Sequence, residues 1–140
     1  MTALLLDTHT AIWLINGSIL ADAAVKDIAA AGLGGGVYVS PISAWEIGLL
    51  ATRKNAANSL SFDPDPTSWF ALLMAMPTIK TAPFNGEIAI AASFLPEPFH
   101  ADPADRLLVA TARHLNIPIV TRDAKILAYG KVGHVKTLAC

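Results

Sequence analysis

The chain lacks most of the residues that announce a chemistry. It has one cysteine, Cys140, so it can form no internal disulfide and offers no thiolate set for zinc. That usage fits a reducing cytoplasm. Its four histidines, His9, His100, His114 and His134, contain no His-x-x-x-His pair and form no metal spacing. There is no Gly-x-Ser-x-Gly, and no Ser-His-Asp arrangement stands out. The glycines between 32 and 36 run from a helix into a strand, the wrong side for a dinucleotide loop. Charged residues make up only 15% of the chain and the net charge is −1, which does not announce a nucleic-acid surface. No apolar run reaches the roughly 18 residues of a membrane span. The first residues have no basic stretch, and Asp7 interrupts the hydrophobic run of any leader, so no membrane role is expected.

Little charge leaves much hydrophobicity. Apolar residues are 54% of the chain and the mean hydropathy is +0.49. That surplus has to be buried in a two-faced sheet, a packed helix layer or an interface with a partner. At 140 residues, a single domain over 1–140 with a proper core is expected.

The hydrophobic runs are short and punctuated. Ala3–Leu6, Val37–Val39, Thr78–Thr81, Pro118–Thr121 and Val135–Leu138 read as strands. Between them, helices are expected over His9–Ile15, Leu20–Ala31, Pro41 to about Arg53, Pro66 to about Met76, Asn85–Leu95, Pro103 to about Asn116, and Ala124–Ala128. Residues 54–64 and 96–101 read as loops. Ser40-Pro41, Asp65-Pro66 and Asp102-Pro103 repeat one helix-start code, a capping side chain followed by proline in the first turn. Apolar strands alternating with helices predict an α/β fold, three layers deep, around a mainly parallel sheet.

Against this background, four acids stand out. Asp7 ends the first strand, and Asp123 follows the strand Pro118–Thr121. Asp105 lies in the first turn of its helix, and Glu46 sits among Ile42, Ala44, Trp45, Ile47, Leu49 and Leu50. A carboxylate beside core residues is costly unless it is paired, hydrogen-bonded or bound to a cation. Strand C-termini in such sheets are where sites form, so the four can meet at one edge. Converged, they make an oxygen-rich site for Mg²⁺ or Mn²⁺. Each has a plainer alternative. Asp7 and Asp123 can simply cap helices, Asp105 can complement a helix dipole, and Glu46 can pair with Arg53. Asp102 reads first as an N-cap, with direct contact to a metal left open. Gly48 suggests close backbone packing, and Trp45 reads as a core residue. His9, two residues past Asp7, can line the site, although a packed or surface role is the simpler reading. Position 9 also argues against a phosphoaspartyl hydrolase, which would want Asp-x-Asp after the first strand.

These residues carry a resemblance. Leu4-Leu5-Leu6-Asp7-Thr8-His9, Ser43-Ala44-Trp45-Glu46-Ile47, Asp102-Pro103-Ala104-Asp105-Arg106-Leu107-Leu108-Val109-Ala110-Thr111-Ala112 and Val120-Thr121-Arg122-Asp123 resemble, in order, the motifs of PIN-domain ribonucleases. The VapC-type toxins of type II toxin–antitoxin modules are the most similar group. The resemblance spans nearly the whole chain. It implies a PIN-like α/β/α fold, Mg²⁺- or Mn²⁺-dependent cleavage of RNA, a homodimer, and a VapB-like antitoxin as partner. It places the family acids at Asp7, Glu46, Asp105 and Asp123. Thr121 matches a hydroxyl that helps hold the site, with Thr8 a further supporting residue. Asp102 is an extra acid of this variant. Two rivals remain: a PIN-like nuclease of RNA or DNA processing without a toxin role, and a catalytically idle module that binds RNA or protein.

Overall fold

The computed structural model describes residues 2–53 and 61–140. Most of the loop expected over 54–64 lies outside the described residues. The strands are β1 (Ala3–Leu6), β2 (Gly36–Val39), β3 (Ile79–Thr81), β4 (Ile119–Thr121) and β5 (Thr137–Ala139). The helices are α1 (Thr8–Asn16), α2 (Asp22–Leu33), α3 (Pro41–Ala51), α4 (Pro66–Met74), α5 (Gly86–Ser93), α6 (Pro103–Leu115) and α7 (Ala124–Lys131).

The five strands form one sheet in the order β3-β2-β1-β4-β5, and every pairing is parallel. Parallel strands are joined by crossover helices, which cover both faces and demand apolar side chains on each. Successive residues of β1 serve opposite faces. Leu4 and Leu6 pack with Val37, Val39, Val120, Ile12, Ile47 and Trp69 on the side of α1, α2, α4 and most of α3. Leu5 packs with Ile119, Ile88, Leu108, Val109 and Ile126 on the side of α5, α6 and α7. Each fully buried Leu, Ile or Val contributes about 1.5–3 kcal/mol, so the central strands are the main source of cohesion.

Sequence-level stop and start signals account for the boundaries. Ser40, Asp65 and Asp102 accept hydrogen bonds from the first-turn N–H groups of α3, α4 and α6. Gly17 ends α1 in the left-handed region at φ 77°, where other residues are strained. Gly35 is needed for another reason: a Cβ there would come within 2.9 Å of the Thr2–Ala3 backbone.

The chain runs from β1 outward through β2 to β3, then returns to the other side of β1 for β4 and β5. The order therefore reverses between β1 and β4. In open parallel sheets that reversal opens a crevice at the strand C-termini. Asp7 follows β1 there, and Thr121 closes β4 beside it.

Two expectations are corrected. Trp45 is 53% exposed rather than in the core, because α3 turns Ile42, Ile47 and Leu50 inward instead. A Cβ on Gly48 would meet nothing within 4 Å, so close packing is not its reason. The chain end is tied to β4 and α1: Cys140 donates its backbone N–H to Thr121 O at 3.2 Å, and its Sγ lies 3.4 Å from Thr10 Oγ1.

Candidate metal centre

Asp7 is held from several directions. Its own N–H bonds Val120 O at 3.0 Å, continuing the β1–β4 ladder past the strand end. One carboxylate oxygen accepts the Thr8 N–H at 2.7 Å, which makes Asp7 the N-cap of α1. The other accepts the Thr121 hydroxyl at 2.7 Å. That same hydroxyl oxygen accepts the Asp123 N–H at 3.0 Å. Thr121 is fully buried, and its place on β4 ties two of the acids to one atom.

Asp123 caps α7, with one oxygen accepting from Lys125 N at 2.8 Å and Ile126 N at 3.0 Å. Asp105 is the third residue of α6, and its N–H is capped by Asp102 at 3.0 Å. Glu46 projects from α3 and accepts the hydroxyl of buried Thr8 in a short hydrogen bond. Ser43 Oγ lies 2.9 Å from that same Thr8 oxygen. A threonine hydroxyl has one proton, so with Glu46 ionised, Ser43 is the donor in the second bond.

Asp7, Glu46, Asp105 and Asp123 thus come from four different elements to one hollow of about 490 Å³. Asp102, His9, Trp13, Arg53 and Arg122 line it as well. Asp102 therefore both caps a helix and faces the hollow. Glu46 and Arg53 share the hollow but form no ion pair among the described residues. Arg122 is fixed at the rim. Its guanidinium lies 4.1 Å from the centre of the Trp13 ring, and it donates to Ile19 O at 3.0 Å and Cys140 O at 3.2 Å.

Crowding of carboxylates shows in their proton affinities. Burial pushes the Asp7 carboxyl up, against the pull of the Thr121 and Thr8 hydrogen bonds. Burial also raises Glu46, opposed by the Thr8 hydroxyl and aided by the charges of Asp7 and Asp102. Asp105 is pushed to about 7, first by burial and then by Asp7, Asp102, Asp123 and Glu46. Near neutral pH Asp105 is only partly ionised, because its burial and the surrounding carboxylates meet no compensating positive charge. A divalent cation would relieve both burial and repulsion, so this donor set fits one.

Two participants were not visible in the sequence. Ser43 is one turn before Glu46 on the same helix face, a spacing that could have suggested a partner. His100 lies in the loop before α6, with Nε2 3.1 Å from Asp105 Oδ2. One donor atom each from His100, Asp105 and Asp123 lie within 4.8 Å of one another, near enough to share an ion.

Comparison with known proteins agrees with this geometry. The PIN domain family matches residues 4–132. Ribonuclease VapC22 of Mycobacterium tuberculosis (strain ATCC 25618 / H37Rv) is 31% identical over 130 residues, covering 92% of this chain and 93% of that protein. Among solved structures, a chain of VapBC2 from Rickettsia felis bound to a promoter DNA fragment superposes with a TM-score of 0.69 at 12% identity, covering 99% of this chain and 98% of that one. A chain of FitAcB from Neisseria gonorrhoeae gives 0.57 at 19% identity, with 96% of each chain covered. At such identities the structures speak to the fold, while the family match and the VapC22 alignment speak to descent. The chain belongs to the PIN-domain family, with VapC-type proteins as its relatives.

Proposed function

We propose that this single PIN domain is a metal-dependent endoribonuclease and serves as the toxin of a type II toxin–antitoxin module. The observation that carries this is the convergence of Asp7, Glu46, Asp105 and Asp123 in one open hollow, with three of them raised in proton affinity. Helix capping accounts for Asp7 and Asp123, but it does not account for Glu46 and Asp105 being brought half-buried against them, at a cost in burial and repulsion. A catalytically idle fold would have no reason to keep all four.

Asp7, Glu46, Asp105 and Asp123 would hold Mg²⁺ or Mn²⁺. A bound divalent cation makes water acidic enough to attack near neutral pH and neutralises charge developing on a phosphate. The chain's own residues do the positioning. Thr121 fixes Asp7 and the turn of Asp123 together, and Thr8 with Ser43 fixes Glu46. Arg122, held by Trp13 and two carbonyls, presents a fixed positive charge at the rim for an incoming phosphodiester. None of the four acids needs to bond covalently to phosphorus. Attack by water leaves a 5′-phosphate and a 3′-hydroxyl and makes no use of the ribose 2′-hydroxyl.

The VapBC2 structure that this chain resembles in fold is an assembly bound to a fragment of its own promoter, which supports an antitoxin partner here. Exposed apolar side chains beside the hollow support a protein interface. Trp45 and Leu49 sit one turn apart on α3, and Ile19 stands 91% exposed ahead of α2. An amphipathic segment of a VapB-like antitoxin fits such a surface, and a second copy of the chain accounts for other exposed apolar area.

The test is cleavage of single-stranded RNA by the purified chain, with and without chelator, beside a DNA control and with analysis of the new ends. Metal-dependent cuts with 5′-phosphate ends support the reading. Equal cutting in chelator, or 2′,3′-cyclic phosphate ends, overturn it.

A further inference from the structure

The four carboxylates leave one neighbour unused. His100 Nε2 is buried and has no hydrogen-bond partner among the described residues, although it stands 3.1 Å from Asp105 Oδ2. The approach is too far off the ring's N–H direction to count as a hydrogen bond. Burying a polar nitrogen without a bond costs free energy, so such an atom calls for a ligand. The atoms that surround it suggest which. One ring nitrogen of His100 and one carboxylate oxygen each from Asp105 and Asp123 all lie within 4.8 Å of one another. Two donors on one small divalent cation, each at about 2.1 Å, can be about 4.2 Å apart. The three atoms are within a small side-chain adjustment of a common ion.

The imidazole is also held in place. Arg106 of α6 donates to Phe99 O and His100 O at 3.3 Å each and to Ala92 O at 3.0 Å, which clamps the loop that carries His100. The Phe99 ring meets the His100 ring edge to face at 4.6 Å and stacks on Tyr129 of α7 at 4.2 Å. Tyr129 donates its hydroxyl to Pro96 O at 2.6 Å. A loop fastened to both α6 and α7 keeps the ring against Asp105, which is how a ligand is preorganised and more than an incidental surface histidine receives.

We propose that His100 is a nitrogen ligand of the cation centre, together with Asp105 and Asp123, and that it biases the centre toward Mn²⁺ over Mg²⁺. This rests on the cation centre of the proposed function. Mg²⁺ holds oxygen donors and water and gains little from imidazole, whereas first-row transition ions accept nitrogen readily. Of the two ions, Mn²⁺ accepts an imidazole nitrogen beside carboxylate oxygens more readily, so the mixed set favours it over Mg²⁺.

The experiment uses the full chain with Mn²⁺ alone as probe. Electron spin-echo modulation reads nitrogen directly bonded to Mn²⁺, and calorimetric titration reads affinity for Mn²⁺ and Mg²⁺. The expected result is modulation from one imidazole in the native protein, lost in His100→Ala. Mn²⁺ affinity should fall by about tenfold or more in that variant, with Mg²⁺ affinity changed by less than about threefold. Native protein carrying ¹⁵N-histidine should show the matching isotope change, which decides the question even if the variant folds poorly. Mn²⁺ binding without nitrogen coupling overturns the proposal. So does coupling that persists in His100→Ala, which would point to His9, or an equal loss for both ions. Failure of the native protein to bind either ion would overturn the cation centre itself, and with it the proposed function.

Discussion

Replacing Asp105 by asparagine should make the metal-free protein more stable at pH 8 and leave it nearly unchanged at pH 4. The reason lies in the crowding of carboxylates around Asp105. Burial, then the charges of Asp7, Asp102, Asp123 and Glu46, raise its carboxyl from the ordinary 3.8 to about 7. In the unfolded chain it titrates near 3.9. The folded protein therefore holds the proton more tightly, and the acid costs nothing below about pH 4, where both states are protonated. As the pH rises from about 4 to about 7, ionisation is easy in the unfolded chain and costly in the fold, so stability is lost across that window. At about 1.4 kcal/mol per pH unit the full difference is about 4 kcal/mol. The carboxyl is partly exposed, so screening reduces that to about 2 kcal/mol. For a domain of this size that corresponds to roughly 6 °C in Tm. Urea unfolding in chelator at pH 4 and pH 8, native against Asp105→Asn, measures it. A variant that is less stable at pH 8, or equally stabilised at both pH values, would refute the electrostatic account.

Further outcomes follow from the same geometry. Millimolar Mg²⁺ or Mn²⁺ should raise the Tm of the native chain by linkage, with a smaller rise in Glu46→Gln, as read by calorimetry. Because Asp105, pushed to about 7, must lose its proton to hold a cation, affinity should strengthen from pH 6 to pH 8, as titration calorimetry would report; a pH-independent affinity would contradict its role. Thr8→Val should cost about 1–3 kcal/mol in urea, because Glu46 and Ser43 lose their shared partner. Asp102→Ala should cost about 1 kcal/mol as a lost helix cap while keeping most RNA cleavage; loss of cleavage equal to that of Asp105→Asn would make Asp102 a ligand. Light scattering should give about twice the 14.7 kDa chain mass, and a strict monomer at micromolar concentration would defeat the homodimer.

Much of the architecture is legible because strands and acids contrast sharply in this chain. Ala3–Leu6 is apolar on both faces, which only a covered parallel strand needs, and Asp7 ends it abruptly. The helix starts are equally plain, since Ser40, Asp65 and Asp102 each precede a proline. Where the chain is uniformly apolar, direction is lost. In α3 nearly every residue is hydrophobic, so nothing in the sequence separates Trp45, which faces out, from Ile47, which faces in. Short terminal elements are set by pairing rather than pattern: β5 covers Thr137–Ala139, not 135–138, because its register is fixed by β4. His100 and Ser43 escaped notice for a related reason. The His100 role depends on how the loop before α6 is held against Asp105, which no spacing encodes; the Ser43–Glu46 spacing puts both on one helix face but does not reveal Thr8 as their shared partner.

The central claim is that Asp7, Glu46, Asp105 and Asp123 act as one cation centre for phosphodiester cleavage. It is tested most directly by assaying RNA cleavage in Mg²⁺ or Mn²⁺ for the native chain and the four single amide variants, with each variant first verified as folded. The account predicts that Asp7→Asn and Asp105→Asn each lose at least about a hundredfold in rate, and that the other two are clearly impaired, since each change removes an anionic donor from a shared ion. Full activity in Asp7→Asn or Asp105→Asn, with metal dependence intact, would contradict it.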